Sequence, residues 1–273
     1  MFRHAKRMGR STAIAVVIGL LCYSQALAKK PPKPPPADET PSYTFVDLLG
    51  LPDPGFLQSD AYSVSEPDAD GALFVAGNSW YSGSFYPVLW SVNPDGSFAG
   101  PIDLGGPASS REAAVNDAGV VATFSGHVFV PGMDIQQLPA AGGVAAHATA
   151  INNSDQIVGW IDYDDEGTRY GEGALWTLDE FGTPGDPVIL DEGLPEGVCF
   201  IPWDISDTGV MAGDLVHLGA AAVAWFEGGV LEVDPLAALP GFDWSQAEGI
   251  SSDGTWVAGT CSRSEGSVHA FLY

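Results

Sequence analysis

Residues 150–159 read Ala-Ile-Asn-Asn-Ser-Asp-Gln-Ile-Val-Gly, and residues 204–213 repeat the pattern as Asp-Ile-Ser-Asp-Thr-Gly-Val-Met-Ala-Gly. Further copies begin at Val115 and Ile250, and a divergent copy with extra turn residues begins at Val64. Asn, Asp and Gly tolerate positive φ, so each copy predicts a strand, a tight turn and a second strand. Self-similarity at a period of roughly 40–50 residues is typical of a propeller or another repeat array.

Each copy is followed by two further apolar segments. The first ends in an aromatic residue in four of the five units, at Trp90, Trp176, Trp225 and Tyr273. The second, between successive copies, covers residues 101–104, 135–138, 188–190 and 230–233. Four short strands per unit are the content of one propeller blade. The approximate units are 51–106, 107–139, 140–194, 195–239 and 240–273.

The two ends of the repeat region complement each other. The fifth unit stops at Tyr273 without a fourth strand, and a surplus strand of that kind, residues 43–49, precedes the first unit. Pairing between them would close a ring and leave no open sheet edge. We therefore predict an all-β fold: a β-propeller of five four-stranded blades, closed by the N-terminal strand joining the last blade.

The first 28 residues have the parts of a secretory signal peptide. Arg3, Lys6, Arg7 and Arg10 precede an apolar run, and Ala26-Leu27-Ala28 supplies the small residues of a cleavage site. The apolar run is too short to span a bilayer comfortably. We predict cleavage near Ala28, a mature chain without a transmembrane segment, and a secreted or periplasmic location, with cell-surface association as a further option. Residues 29–41, rich in Pro and Lys, are predicted to be an extended linker to the repeat domain 42–273.

The repeat domain is strongly acidic. Of the 35 Asp and Glu residues only Asp38 and Glu39 precede residue 42, whereas seven of the ten Lys and Arg residues do. Such a surface repels phosphate backbones, so nucleic-acid binding is excluded as a function. The acidity is explained either by solubility or by the binding of cations.

Three sequence patterns together resemble the extracellular HAF repeat family of bacteria. They are the turn cassette 151–159, the ending His269-Ala270-Phe271-Leu272-Tyr273, and the Asp-Leu segments at 46–50 and 102–106. The second unit departs from the pattern, with Val130 in place of the aromatic residue. The resemblance implies an exported, β-propeller-like repeat protein, and it brings no established catalytic residues.

One acidic loop has the beginning of a calcium-binding pattern. Asp162, Asp164 and Glu166 alternate ahead of Gly167, which would direct their oxygens toward one centre. The twelfth position is Gly173 rather than the Glu of an EF-hand. The sequence predicts calcium at this loop, against the alternative of solvated surface charge.

An aromatic cluster in the first unit is a candidate for stacking on sugar rings. Trp80, Tyr81, Phe85 and Tyr86 are interleaved with Ser and Gly, and aromatic faces pack well against apolar surfaces. The alternative is a loop whose rings pack inward.

Two cysteines, Cys199 and Cys261, remain after signal cleavage. In an oxidising compartment they could form one disulfide, and two free thiols are the alternative. Among the histidines, His147 and His217 have no partner nearby in the sequence that would make them a base or a ligand.

Two functions remain open. The first is a non-enzymatic exported repeat protein, expected to be a monomer, that binds an extracellular protein or glycan. The second is an extracellular polysaccharide hydrolase or lyase that uses carboxylates at the central face of the propeller. A convergent cluster of acids would distinguish the enzyme from the binding module.

Overall fold

The computed structural model describes residues 46–52, 58–81, 84–105, 113–163, 171–227, 230–236 and 240–273. These residues form 19 β-strands. No helix among them is long and apolar enough to cross a membrane. The strands are β1 Gln58–Val64, β2 Leu73–Tyr81, β3 Ser84–Val92, β4 Phe98–Asp103, β5 Ala113–Val115, β6 Val121–Thr123, β7 His127–Phe129, β8 Gln136–Gln137, β9 Ala145–Ile151, β10 Gln156–Asp162, β11 Glu172–Thr177, β12 Val188–Ile189, β13 Cys199–Ile205, β14 Met211–Val216, β15 Ala220–Glu227, β16 Val230–Pro235, β17 Trp244–Ile250, β18 Val257–Ser262 and β19 Val268–Leu272.

The strands pair antiparallel with their chain neighbours in five sheets. Sheets 1 to 4 contain β1–β4, β5–β8, β9–β12 and β13–β16, and sheet 5 contains β17–β19. The predicted all-β class is confirmed, as is the four-stranded unit for sheets 1 to 4. Sheet 5 has three strands in the described part of the chain.

The first strands of the sheets surround a common axis. One cavity of about 150 Å³ is lined by residues from all five sheets, at or just after the end of each first strand. They include Val64, Val115, Ile151, Ile205 and Ile250. Sheets arranged radially about a central channel are the architecture of a β-propeller.

A series of hydrogen bonds links the turns that follow the first strands. Glu66 N donates to Asp117 Oδ1 at 2.8 Å, and Asp117 N donates to Asn153 Oδ1 at 2.8 Å. Asn153 N donates to Asp207 Oδ1 at 2.9 Å, and Asp207 N donates to Ser252 O at 2.9 Å. In the described part of the chain no hydrogen bond joins Ser252 to Glu66, so the series runs from sheet 1 to sheet 5 and stops.

The Asn of the turn cassette has two roles, which Asn152 illustrates. Its Oδ1 accepts from Ser154 N and Gln156 N and so closes its own turn. Its Nδ2 donates to Ser206 O in the next sheet at 2.9 Å. The side chain is buried at 3% exposure. Only a residue with both an acceptor and donors can do this, so the repeated Asn is explained by fold stability.

The Gly that ends the cassette is required by a close approach of two strands. Gly159 lies in β10 at an irregularity in the pairing with β9. A Cβ at this position would overlap the carbonyl oxygen of His147. Gly77, Gly213 and Gly259 meet the first strand of their own sheet in the same way.

A leucine after the fourth strand joins each sheet to the next. Leu104, Leu138, Leu190 and Leu236 are all buried, and each packs with core residues of the following sheet. Burying a leucine stabilises a fold by about 1.5–3 kcal/mol. These contacts therefore form much of the core between sheets.

Residues 46–49 form no strand, but they contact sheet 1 as the other linkers contact their following sheets. Leu48 packs against the cluster of Val75, Val88 and Trp90. Trp90 Nε1 donates to Leu49 O at 3.0 Å, as Trp176 Nε1 donates to Pro139 O at 2.9 Å. The remaining part of the predicted closing strand, residues 43–45, lies outside the described residues.

Candidate functional site

An aromatic row crosses sheets 2, 3 and 4 at the ends of the sheets opposite the linked turns. We call this end the distal face. The row consists of Phe124, after β6, His147 in β9, Trp160 in β10 and Trp203 in β13. His147 stacks on Trp160 with ring centroids 5.0 Å apart, and Trp160 meets Trp203 edge-on at 5.6 Å. Phe124 contacts both rings of sheet 3, at 4.9 Å and 5.3 Å. Aromatic pairs at such distances stabilise each other by about 0.5–1.5 kcal/mol.

His147 is fixed through both ring nitrogens. Nδ1 lies 2.9 Å from Phe124 O, and Nε2 lies 2.8 Å from Asp162 Oδ2. Both partners are acceptors, so both contacts are hydrogen bonds when each nitrogen carries a proton. His147 has no partner nearby in the sequence, and its partner Asp162, fifteen positions later in the chain, is brought beside it by antiparallel strand pairing.

A pocket of about 190 Å³ lies where sheets 4 and 5 meet at the distal face. Trp203 and Asp214 of sheet 4 and Trp244 and Gln246 of sheet 5 contribute to its walls, and His217 lies at the turn after β14. Trp203 Nε1 donates to Asp214 Oδ2 at 2.7 Å. Ala247 N donates to Asp214 Oδ1 at 3.2 Å, so this carboxylate ties the two sheets together.

Burial raises the pKa of Asp214 to about 7, although hydrogen bonds from Trp203 and Ala247 act in the opposite direction. The charge of Glu248 raises the pKa further. Near neutral pH this carboxyl therefore exists in both protonation states.

Asp204 is the second half-buried carboxylate between sheets 4 and 5. It lies in a channel of about 410 Å³ whose lining includes residues of all five sheets, Glu248 among them. Its Oδ2 accepts from Ile250 N at 2.8 Å, and its Oδ1 accepts from Ile205 N at 2.8 Å. Burial raises the pKa of Asp204, whereas the two N–H donors lower it. Both oxygens are engaged by the backbone, which indicates a structural role.

The predicted calcium loop is described only at its start. Asp162 ends β10 and is paired with His147, while Asp164 and Glu166 lie outside the described residues. Within the described part of the chain no group of three or more His, Cys, Asp or Glu side chains could hold a metal ion.

The four predicted stacking aromatics lie in strands β2 and β3 rather than in a loop. Trp80 pairs with Phe85 across the hairpin, and Tyr86 pairs with Ser79. Side chains alternate along a strand, so Trp80 and Phe85 share one face of sheet 1 and Tyr86 lies on the other. Tyr81 pairs with Ser84 at the end of the hairpin. Trp80, Phe85 and Tyr86 therefore do not share one face of the sheet.

Both cysteines are free in the structure. Cys261 is buried in β18, and Cys199 is half-buried at the start of β13. Burial and the neighbouring Asp191 raise the pKa of Cys199 to about 11, which disfavours the reactive thiolate. The structure therefore has two free thiols, which was the alternative to a disulfide.

Sequence reasoning missed the aromatic row and Asp214 as site residues. Their partners come from different strands and sheets, so no local pattern connects them. One signal was present: Trp160, Trp203 and Trp244 are out of register with the repeated core positions Trp90 and Trp176. A tryptophan outside the repeated core positions is a candidate for a binding role.

Comparison with known proteins identifies structural likeness only. No family model and no curated protein matches the chain. The similar solved structures include hydrazine synthase of Kuenenia stuttgartiensis (14% identity, TM-score 0.46), virginiamycin B lyase from Staphylococcus aureus (9%, 0.40), and the β-propeller domain of the Trilobed protease from Pyrococcus furiosus (10%, 0.40). The matches cover 81%, 77% and 78% of this chain, and 59%, 83% and 68% of the others.

Proposed function

We propose that this chain is an exported, non-enzymatic binding module, a monomer that recognises an extracellular glycan or protein through the aromatic row of its distal face. Export is supported by the signal-peptide pattern of residues 1–28. The observation that carries the binding role is the row itself, because neighbouring sheets place Phe124, Trp160 and Trp203 in continuous contact. Phe124 and Trp203 are half-buried and flank the buried Trp160, so an extended ligand would contact the two outer rings.

The ring-shaped scaffold is part of the same proposal. The five sheets are the five blades of a closed propeller, and the part of the predicted closing strand 43–49 that precedes residue 46 supplies the fourth strand of sheet 5. Two observations support closure. Leu48 packs against sheet 1 as Leu138 packs against sheet 3, and Tyr273 in sheet 5 is 61% exposed whereas the equivalent Trp90 is fully buried.

Calcium at Asp162, Asp164 and Glu166 is a further part of the proposal. An ion there would compete with His147 for the Asp162 carboxylate, since Asp162 Oδ2 lies 2.8 Å from His147 Nε2. Thermal melts with calcium and with a chelator test this. A melting point raised by calcium in the mature protein and unchanged in Asp164→Asn supports the site, and equal melting points contradict it.

The alternative function, a polysaccharide hydrolase or lyase, is favoured by one observation. A general acid needs a carboxyl that stays protonated near neutral pH, and the raised pKa of Asp214 meets that condition. Hydrogen bonds from Trp203 and Ala247 instead assign Asp214 to the junction between sheets 4 and 5. The binding function therefore accounts for more of the site.

The experiment is a glycan array probed with the mature protein, followed by titration of any ligand found. Trp203→Ala should weaken binding about tenfold or more, as expected for loss of a central aromatic contact. Trp256→Ala is the matched control, because Trp256 is 46% exposed and follows the turn of sheet 5, away from the distal face. Equal binding by both variants would contradict the proposed site, and release of new reducing ends would support the enzyme instead.

A further inference from the structure

The pocket between sheets 4 and 5 contains a half-buried carboxylate, Asp214, and no Lys or Arg in the described part of the chain pairs with it. Asp214 is bonded to Trp203, Ala247 and Gln246, none of which is charged. Arg263, the only Lys or Arg among the described residues, pairs with Glu265 and lies over the Phe242 ring. Partial burial of a carboxylate without a counter-charge is costly, so a cation entering this pocket would be favoured by the missing charge.

Two tryptophans complete the walls of the pocket. Trp203 is held by its bond to Asp214, and Trp244 packs closely on the turn at Gly219, where a Cβ would come within 2.7 Å of its ring. Ser245 N donates to Gly219 O at 3.0 Å, which fixes the strand that carries Trp244. Tryptophan is the aromatic side chain that binds cations best through its ring face.

The turn beneath the pocket is conformationally special. His217 has a φ of +71°, which is uncommon for a residue other than Gly. It lies in the turn that Gly219 closes, and Leu218 N and Gly219 N both donate to Leu215 O. Such backbone conformations cluster at binding and active sites.

From this geometry we propose that the pocket of Trp203, Asp214 and Trp244 binds an alkylammonium group, such as a quaternary ammonium headgroup or a lysine-like amine of the ligand. The cation contacts the indole faces and the Asp214 carboxylate, and the acidic surface attracts it from a distance. Trp203 also belongs to the aromatic row, so the pocket forms one end of the proposed binding surface. The inference thus deepens the proposed function by naming a chemical group that the ligand carries.

The test is calorimetric titration of the mature protein with choline and, separately, with 3,3-dimethyl-1-butanol, which has the same shape without the charge. We expect saturable binding of choline and at least about tenfold weaker binding of the alcohol. Asp214→Asn and Trp244→Ala should each weaken choline binding by at least about fivefold, whereas Trp256→Ala should not. Equal affinity for both compounds, or none for choline, overturns the proposal.

The pH dependence gives a second readout. Choline should bind more tightly at pH 8 than at pH 6, because a cation prefers the ionised form of Asp214, and Asp214→Asn should remove this difference. The other titratable groups near the carboxylate are His217 in the pocket wall and Glu248 on β17. His217→Gln should therefore keep the Asp214-dependent change, and its complete loss in that variant contradicts the assignment.

These outcomes separate the two proposals. Choline binding without any glycan or protein ligand would support the pocket and contradict the wider function. Glycan binding without choline binding would support the aromatic row and overturn the pocket.

Discussion

The junction between sheets 4 and 5 and the junction between sheets 5 and 1 are built differently. At the first, Asp204 and Asp214 accept from Ile250 N and Ala247 N, and Leu236 is buried in the core of sheet 5. At the second, the series of turn hydrogen bonds stops at Ser252, and residues 43–45 lie outside the described part of the chain. The first junction is fixed by two half-buried carboxylates and the buried Leu236, whereas the proposed closure of the second depends on an N-terminal segment distant in sequence.

The edge strand of sheet 5 shows what this difference means energetically. Val268, Leu272 and Tyr273 in and beside β19 are each more than 60% exposed. An uncovered apolar edge strand is a site for pairing with another chain. In the proposed closed ring, the N-terminal segment would cover this edge and so protect the protein from association.

Of the changes that compare the two junctions, deletion of residues 42–49 should have the largest effect on stability. The deletion removes the proposed fourth strand of sheet 5 and the contact of Leu48 with Trp90. We expect a loss of more than about 4 kcal/mol in the free energy of unfolding, and concentration-dependent association. Thermal melts and light scattering measure these effects. Deletion of residues 29–41 is the control and should leave both unchanged, while an unchanged melting point after deletion of 42–49 would contradict closure.

Leu236 and Leu48 occupy equivalent positions at the two junctions, so the stability lost when each is replaced by Ala compares the junctions directly. Leu236→Ala should lower the free energy of unfolding by about 2–4 kcal/mol, because the side chain is 4% exposed within the core of sheet 5. Leu48→Ala should cost about 1–2 kcal/mol, since Leu48 is only half-buried against sheet 1. Urea unfolding measures both. A Leu48→Ala variant as stable as the wild type would show that this segment does not dock on sheet 1.

The titration of Asp214 should make the stability of the junction between sheets 4 and 5 depend on pH. The folded pKa of Asp214, about 7, exceeds the 3.8 of an ordinary Asp side chain, so between these values the folded state holds a proton that the unfolded state has released. The contribution of Asp214 to stability is therefore present at low pH and is lost as the pH rises from about 4 to 7. Relative to Asp214→Asn, the wild type should lose on the order of 1–3 kcal/mol over this range.

The matched control for this titration is Asp253→Asn. Asp253 is exposed, and hydrogen bonds from Ser251 and Thr255 lower its pKa to about 2, so it stays ionised between pH 4 and 7. Urea unfolding at several pH values should give wild-type pH dependence for this variant. If Asp214→Asn also keeps the wild-type pH dependence, Asp214 does not titrate as described.

The smallest expected effect is on the alkylation rates of the two cysteines, which measure how far the strands around them open. Both should react slowly with iodoacetamide at pH 8, Cys261 because it is buried and Cys199 because its pKa is about 11. Deletion of residues 42–49 should speed the alkylation of Cys261, next to the edge strand, more than that of Cys199. Mass spectrometry of the peptides measures the two rates, and equal acceleration would indicate global unfolding rather than an opened sheet 5.

The sequence predicted the features of the fold that recur and missed those that do not. The turn cassette predicted its strands correctly because each unit meets the same physical demands: a donor and acceptor at Asn152, close strand approach at Gly159, and core filling at Leu190. The site residues occur once. His147 and Asp162, or Asp214 and Trp244, meet only after strands and sheets pair, and one unaligned sequence does not encode those contacts locally.

Amide hydrogen exchange at residues 268–272 tests the central claim, that the N-terminal segment completes sheet 5, most directly. In the proposed closed ring the outward-facing amides of β19 bond to the N-terminal segment before residue 46, so they should exchange slowly in the mature protein and at least about tenfold faster after deletion of 42–49. The amides of β16, the fourth strand of sheet 4, serve as the reference and should change little. Fast exchange of β19 in the intact mature protein, unaltered by the deletion, would contradict the closed ring.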